Sequence, residues 1–220
     1  MPVILSRKGG GSGGGGGAPS GPAGGDLTGN YPNPTIDSGV ITAAMFATGL
    51  SPWTELFSSV LGADTNSIDT GAGGFSTSFD HLLVIGQFRT TEAAILSNVG
   101  VRANNDTGGN WDRQTVFGRN ASTTTEDAQA ATSILGSMAG ASAATGVAAT
   151  FFMVVPFYGL TTLEKSGIIL SGFADEAATG GDVRMSAWHW RNTAAINRLA
   201  FIAAAGNLLA GSGVTVYGIG

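Results

Sequence analysis

The sequence predicts an all-β body carried on an extended N-terminal arm. Three observations predict it. Short apolar runs bounded by Gly, Asn and Asp recur throughout the chain after position 52. One of them, "VRMSAWHW", alternates strictly: Val183, Met185, Ala187 and His189 fall on one face, and Arg184, Ser186, Trp188 and Trp190 on the other. Glycine crowds the opposite end, supplying 11 of the first 25 residues. Glycine at that density buries no apolar area and loses much backbone entropy on ordering.

Taken in order, residues 1–25 read as a tail. Its only apolar patch, Val3, Ile4 and Leu5, is a candidate anchor for a partner's groove; the alternative is a free flexible linker. Residues 26–52 read as a connector. In "NYPNPTI", Pro32 and Pro34 force the residues before them into extended conformations, and Tyr31 and Ile36 are the expected contact points. "SGVITAAMFATG" follows, with Ile41, Met45 and Phe46 spaced for a short helical turn or a β-arch. The connector is too small to fold alone, so it should pack on a copy of itself or on the body.

Residues 53–220 form the body. The strand-like runs are Trp53–Leu61, Phe75–Phe79, His81–Thr90, Leu96–Asn104, Arg113–Arg119, Ala149–Gly159, Ser166–Ala174, Val183–Arg191, Ala195–Ala204 and Gly213–Gly220. Ten short strands with regularly spaced turns predict an antiparallel β-sandwich, most simply a jelly roll. The alanine-rich stretch Glu126–Gly146 fits either a short helix or a long loop.

Composition narrows the function. Charged residues are 11% of the chain, against roughly 25% in an average soluble protein, so the surface suits packing against protein neighbours or sugars rather than charge-driven docking. A net charge of −5 leaves no electrostatic footprint for nucleic acid. The chain has no cysteine, which excludes disulfides and thiolate metal sites. Arg7 and Lys8 follow the apolar patch, the reverse of the order in a secretory signal. The run Ala149–Leu160 is too short to span a bilayer and contains Pro156. The expectation is a protein made in a cytoplasm and not inserted in a membrane.

Catalytic patterns are sparse. The two histidines, His81 and His189, lie in separate runs, and a histidine packed on a sheet face is the favoured reading of His189. The one "GxSxG" string, Gly10–Gly14, belongs to the glycine run and is not read as a nucleophile elbow, and no P-loop lysine follows that run. Asp106, Asp112, Asp175, Glu176 and Asp182 sit near glycine-rich turns. Asp106 with Asn104, Asn105 and Asn110 offers oxygen ligands of the kind calcium takes, but "NNDTGGNWD" lacks the EF-hand order, and an Asx-turn is the expected role. Paired carboxylates for glycoside cleavage remain a third class of reading. No cofactor and no bound metal are expected. Of the four tryptophans, Trp53, Trp111, Trp188 and Trp190, the last two share a strand face with Arg184 and Ser186. They are the candidate contact for a carbohydrate or protein, unless they are covered by the alanine-rich insert or lie between subunits.

"GGDLTGNYPNPTI" (Gly24–Ile36) resembles a linker motif, G-G-D-L-S/T-G-x-Y-P-N-P-x-I/V, found near the N-termini of tail-fibre and other virion proteins of tailed bacteriophages. "SGVITAAMFATG" is similar to the repeats that follow that motif. The body resembles the small jelly-roll domains of phage tail-fibre and capsid-decoration proteins, through "RANNDTGGNW" (Arg102–Trp111) and the closing "AAGNLLAGSGVTVYGIG". Trp111 stands where that turn usually has Tyr, and the Ala/Thr-rich insert after Asn120 has no counterpart. The resemblance implies a non-enzymatic virion protein made in the host cytoplasm. It would be a short tail fibre or tail-tip appendage, the alternative being a head decoration protein that stabilises the shell. It also implies a homotrimer whose arms attach to other virion proteins, with Val3, Ile4, Leu5, Tyr31, Pro32, Pro34 and Ile36 as the assembly residues. A charge-poor surface rich in Ala and Gly agrees with subunit packing, since it costs little to desolvate.

Overall fold

The computed structural model describes residues 21–22, 27–31, 34–36, 53–76, 78–175 and 180–220. The chain divides into two compact units, Met1–Ser51 and Pro52–Gly220. In the first, β1 (Gly21–Pro22) pairs antiparallel with β3 (Asn30–Tyr31), and β2 (Leu27–Thr28) with β4 (Thr35–Ile36). Gly29, at φ +89°, makes the turn between β2 and β3, a conformation that favours glycine. Val3, Ile4, Leu5, Pro32 and the "SGVITAAMFATG" segment lie outside the described residues.

The second unit is a sandwich of two antiparallel sheets, consistent with the jelly roll that the sequence predicts. Its strands are β5 (Trp53–Val60), β6 (Ser67–Asp69), β7 (His81–Phe88), β8 (Leu96–Ala103), β9 (Trp111–Arg119), β10 (Ser122–Ala131), β11 (Ile134–Ala139), β12 (Ala149–Pro156), β13 (Lys165–Phe173), β14 (Asp182–Trp190), β15 (Leu199–Ala203) and β16 (Gly213–Ile219). The larger sheet has eight strands in the order β10-β9-β14-β13-β12-β7-β16-β5, and the smaller has four in the order β11-β8-β15-β6. No helix occurs among the described residues.

Alternation puts one side of each strand between the sheets. Leu82, Val84 and Phe88 of β7, Phe151, Met153 and Val155 of β12, Ile169 of β13 and Val216 of β16 are buried there with Val99, Val101, Ile134, Met138 and Phe201 of the smaller sheet. Phe88, Phe151 and Phe201 form its aromatic centre, with ring centroids 5.6–6.1 Å apart. Gly136 on β11 is required by this packing: a Cβ there would stand 2.6 Å from the Phe151 ring.

Two readings of the sequence are corrected. The described residues of Phe75–Phe79 (75, 76, 78 and 79) form no strand; Phe75 is buried, with its N–H donating to the Asn197 carbonyl at 3.3 Å, and so plugs the core from a loop. The alanine-rich stretch is neither helix nor long loop but mostly β10 and β11. β10 opens with Ser122–Thr125, whose β-branched threonines fit a strand, and β9 supplies its ladder. The register breaks at a bulge between Ala128 and Ala131, where Ala130 takes φ +53°. The loop after β11 is held by Arg89, whose guanidinium donates to the carbonyls of Ala141, Ala143, Ala144 and Val147.

Candidate functional site

β14 decides how the larger sheet can work. Its faces divide as the alternation predicts, but the side carrying Arg184, Ser186, Trp188 and Trp190 is the inner one. The expectation that Trp188 and Trp190 present a contact surface is therefore corrected: they are 3% and 1% exposed. Trp190 stacks on Trp111 of β9 with centroids 5.4 Å apart, and Trp188 lies 6.2 Å from the same ring. Room for Trp188 comes from Gly167 on β13, where a Cβ would stand 2.7 Å from the indole. The Trp190 N–H donates to Asp106 at 2.7 Å. Asp106 also accepts from the Gly108 N–H and the Asn110 amide, so it closes the expected Asx-turn. Burial pushes its carboxyl up, but the Trp190, Asn110 and Gly108 donors outweigh this and hold it below the ordinary value.

The rest of the inner face of β14 is polar, and its groups pair with one another except at Arg184 Nε, which is buried with no hydrogen-bond partner. Asp182 accepts from the Ser137 hydroxyl and from Arg119 Nε. Arg184 Nη1 donates to Asn98 at 2.8 Å, and Thr115 and Ser186 share a hydrogen bond of 2.8 Å. The guanidiniums of Arg119 and Arg184 both lie over the Phe117 ring, at 5.3 and 5.4 Å. Burial lowers the pKa of Arg184, partly countered by the charges of Asp182 and Glu126. These groups bind one another, and the network reads as packing.

The outer face is the reverse. Val116, Met185, Leu170, Phe152 and Ile85 are cross-strand neighbours in one line over β9, β14, β13, β12 and β7. Ile168 and Val183 flank the line, and all seven side chains are 37–61% exposed. They form one apolar patch on the order of 600 Å², the size at which exposed apolar surface commonly marks an interaction site. Beside Gly172 the patch is concave, with a hollow of about 360 Å³ lined by Thr150, Phe152, Leu170, Phe173 and Val183. Sequence reasoning missed this face. The available signal was in β12 and β13, whose "TFFMVV" and "GIIL" are apolar at successive positions instead of alternating, the pattern of strands covered on both sides.

A charged corner bounds the patch. His189 Nε2 lies 2.7 Å from Glu164 and Nδ1 lies 3.4 Å from Asp112. Arg191 binds the other Asp112 oxygen at 3.1 Å. The Asp112 carboxyl is held below its ordinary value, first by the Ala130 N–H and further by Arg191 and His189. Carboxylates take both imidazole nitrogens, which leaves neither directed at a hydroxyl nucleophile. His81 Nδ1 accepts the Phe157 N–H at 3.2 Å. Among the described residues no group of three or more His, Asp or Glu side chains is placed to hold a metal ion, and no helix is long and apolar enough to cross a membrane.

Of the expected assembly residues, Ile36 is 56% exposed in β4, paired with Leu27. Pro34 lies just before that strand, half-buried, and the Tyr31 backbone pairs with Gly21. The remaining four lie outside the described residues. No protein-family model, no curated protein and no solved structure matches the chain.

Proposed function

We propose that this chain is a non-enzymatic structural virion protein of a tailed bacteriophage, a short trimeric tail fibre or tail-tip appendage. The near-complete "GGDLTGNYPNPTI" motif carries the reading, because it stands at the junction such a protein needs, between a glycine-rich arm and a β-sandwich. The division into units at Ser51 and Pro52 supports it. So does a body in which Asp182, Arg184 and Ser186 bind other inward groups while the outward sheet face is apolar. In this role the arm fastens to other virion proteins, and the body faces outward to meet the host surface or to stiffen the structure. Head decoration is the rival location.

Removing residues 1–25 tests the attachment. The truncated chain should stay folded and fail to join particles, read by quantitative mass spectrometry of purified virions. Normal incorporation would reject the arm as the fastening. Labelled particle images separate the two locations: few copies at the tail, or hundreds on the head.

A further inference from the structure

We infer that the outer face of β12, β13 and β14 docks against a second copy of this chain, with Leu170 and Met185 at the centre of the contact. The inference rests on the assembly reading above and assigns the surface through which copies meet.

Chain chemistry selects this face. The outward positions of the three strands are Thr150, Phe152, Val154 and Pro156 on β12, Ser166, Ile168, Leu170 and Gly172 on β13, and Val183, Met185, Ala187 and His189 on β14. None is Asp, Glu, Lys or Arg. Two copies, each with a net charge of −5, can therefore meet here without opposing like charges at close range. The charges gather at one corner, where Glu164, Asp112, Arg191 and His189 pair among themselves. An uncharged centre beside a polar margin is the anatomy of a protein interface.

Size and relief agree. An apolar centre on the order of 600 Å², with its margin, approaches the roughly 800 Å² per partner of a standard stable interface. The Gly172 hollow gives the face relief: Phe152, Leu170 and Val183 stand around a floor that has no side chain. A face so formed can take an apolar knob from its neighbour, which a flat sheet surface cannot. A soluble partner of unlike charge would need complementary charges on the face, and the face has none. A sugar would need exposed aromatic planes beside hydrogen-bonding groups, and here Phe152 is the only exposed phenyl or indole ring on these three strands.

The experiment uses the full-length chain. Sedimentation velocity across nanomolar to micromolar concentrations reads the mass of the wild type and of the double variant Leu170→Glu/Met185→Glu. Both side chains are half exposed, so the variant should keep its fold, and far-UV circular dichroism checks this. The expected result is a wild-type oligomer and a variant whose self-association is about a hundredfold weaker or more. A second variant, Val183→Cys carrying a nitroxide, guards against loss of folding. The chain has no other cysteine, and the label should become shielded from a soluble relaxation agent as the protein is concentrated. A monomeric wild type overturns the inference. So does an oligomer indifferent to both substitutions, whether the label stays accessible throughout, as expected if another protein covers the face, or stays shielded at every concentration, as expected if the chain's own arm does. Particle incorporation is read separately, so a monomer that still enters virions would reject this interface and leave the structural-protein reading standing.

Discussion

On the inner face of the larger sheet, β14 presents Asp182, Arg184, Ser186, Trp188 and Trp190; on the outer face it presents Val183, Met185, Ala187 and His189. The inner set holds the carboxylate and the guanidinium and is buried, whereas the outer set, apart from His189 at its end, is apolar and open to solvent. An ordinary half-buried strand does the opposite. The inversion is tolerable inside because each polar side chain between Asp182 and Ser186 has at least one partner: Ser137 and Arg119 on Asp182, Asn98 on Arg184, Thr115 on Ser186; Arg184 Nε and the Trp188 N–H are left unpaired. Outside, nothing among the described residues of the second unit offsets the exposed Val183, Leu170 and Met185. The contrast teaches that amphipathic pattern and burial are separate questions, and that a neighbour can answer the second.

The largest expected effect breaks the inner face. Trp190→Ala removes the ring stacked on Trp111 and should cost about 3–5 kcal/mol, read by denaturant unfolding. A loss below about 1 kcal/mol would mean the indole is not a core residue. Next, Asp182→Ala strands the Ser137 hydroxyl and deprives Arg119 and the buried Arg184 of their nearest negative charge. A destabilisation of about 3 kcal/mol is expected, and Asp182→Asn should recover part of it.

A smaller effect appears in acid. Arg198 holds the Asp69 carboxyl below its ordinary value, through hydrogen bonds that outweigh burial, and Asp106 is also lowered. A folded pKa below the unfolded one gives stability that is complete above the ordinary carboxylate range and is lost as pH falls through the folded value. The melting temperature should therefore hold between about pH 5 and 7 and drop below about pH 4, with a shallower drop in Asp69→Asn. An unchanged slope would remove Asp69 from the account. The smallest effect belongs to the outer face: Met185→Thr should change the unfolding free energy of the dissociated chain by no more than about 0.5 kcal/mol. A larger loss would mean that Met185 packs within its own chain.

Which residues share a face of β14 was legible, because period-2 alternation is local. Which face is inside was not, because the smaller sheet that covers it comes from distant segments, β8, β11 and β15. Two indoles and two hydroxyl-bearing or charged neighbours looked like a surface site until Trp111 and Gly167 supplied a slot for them. β10 and β11 were hidden by alanine and glycine, weak strand formers that β9 and β8 nonetheless pair in register. "FSTSF" had strand composition, but its described residues have no partner strand. The Asx-turn at Asp106 was readable, since it lies within a few residues of sequence; the Trp190 N–H that also binds it is 84 positions away.

The chain's own methionines allow a direct comparison of the two faces. Met138 and Met153 are buried between the sheets, and Met185 lies in the middle of the outer row, 51% exposed in a single chain. Brief hydroxyl-radical exposure of full-length protein at micromolar concentration, followed by mass spectrometry of each methionine, measures whether the outer face is covered. The account predicts that Met185 is nearly as protected as Met138 and Met153. Rapid oxidation of Met185 with the other two spared would show an open outer face and contradict it.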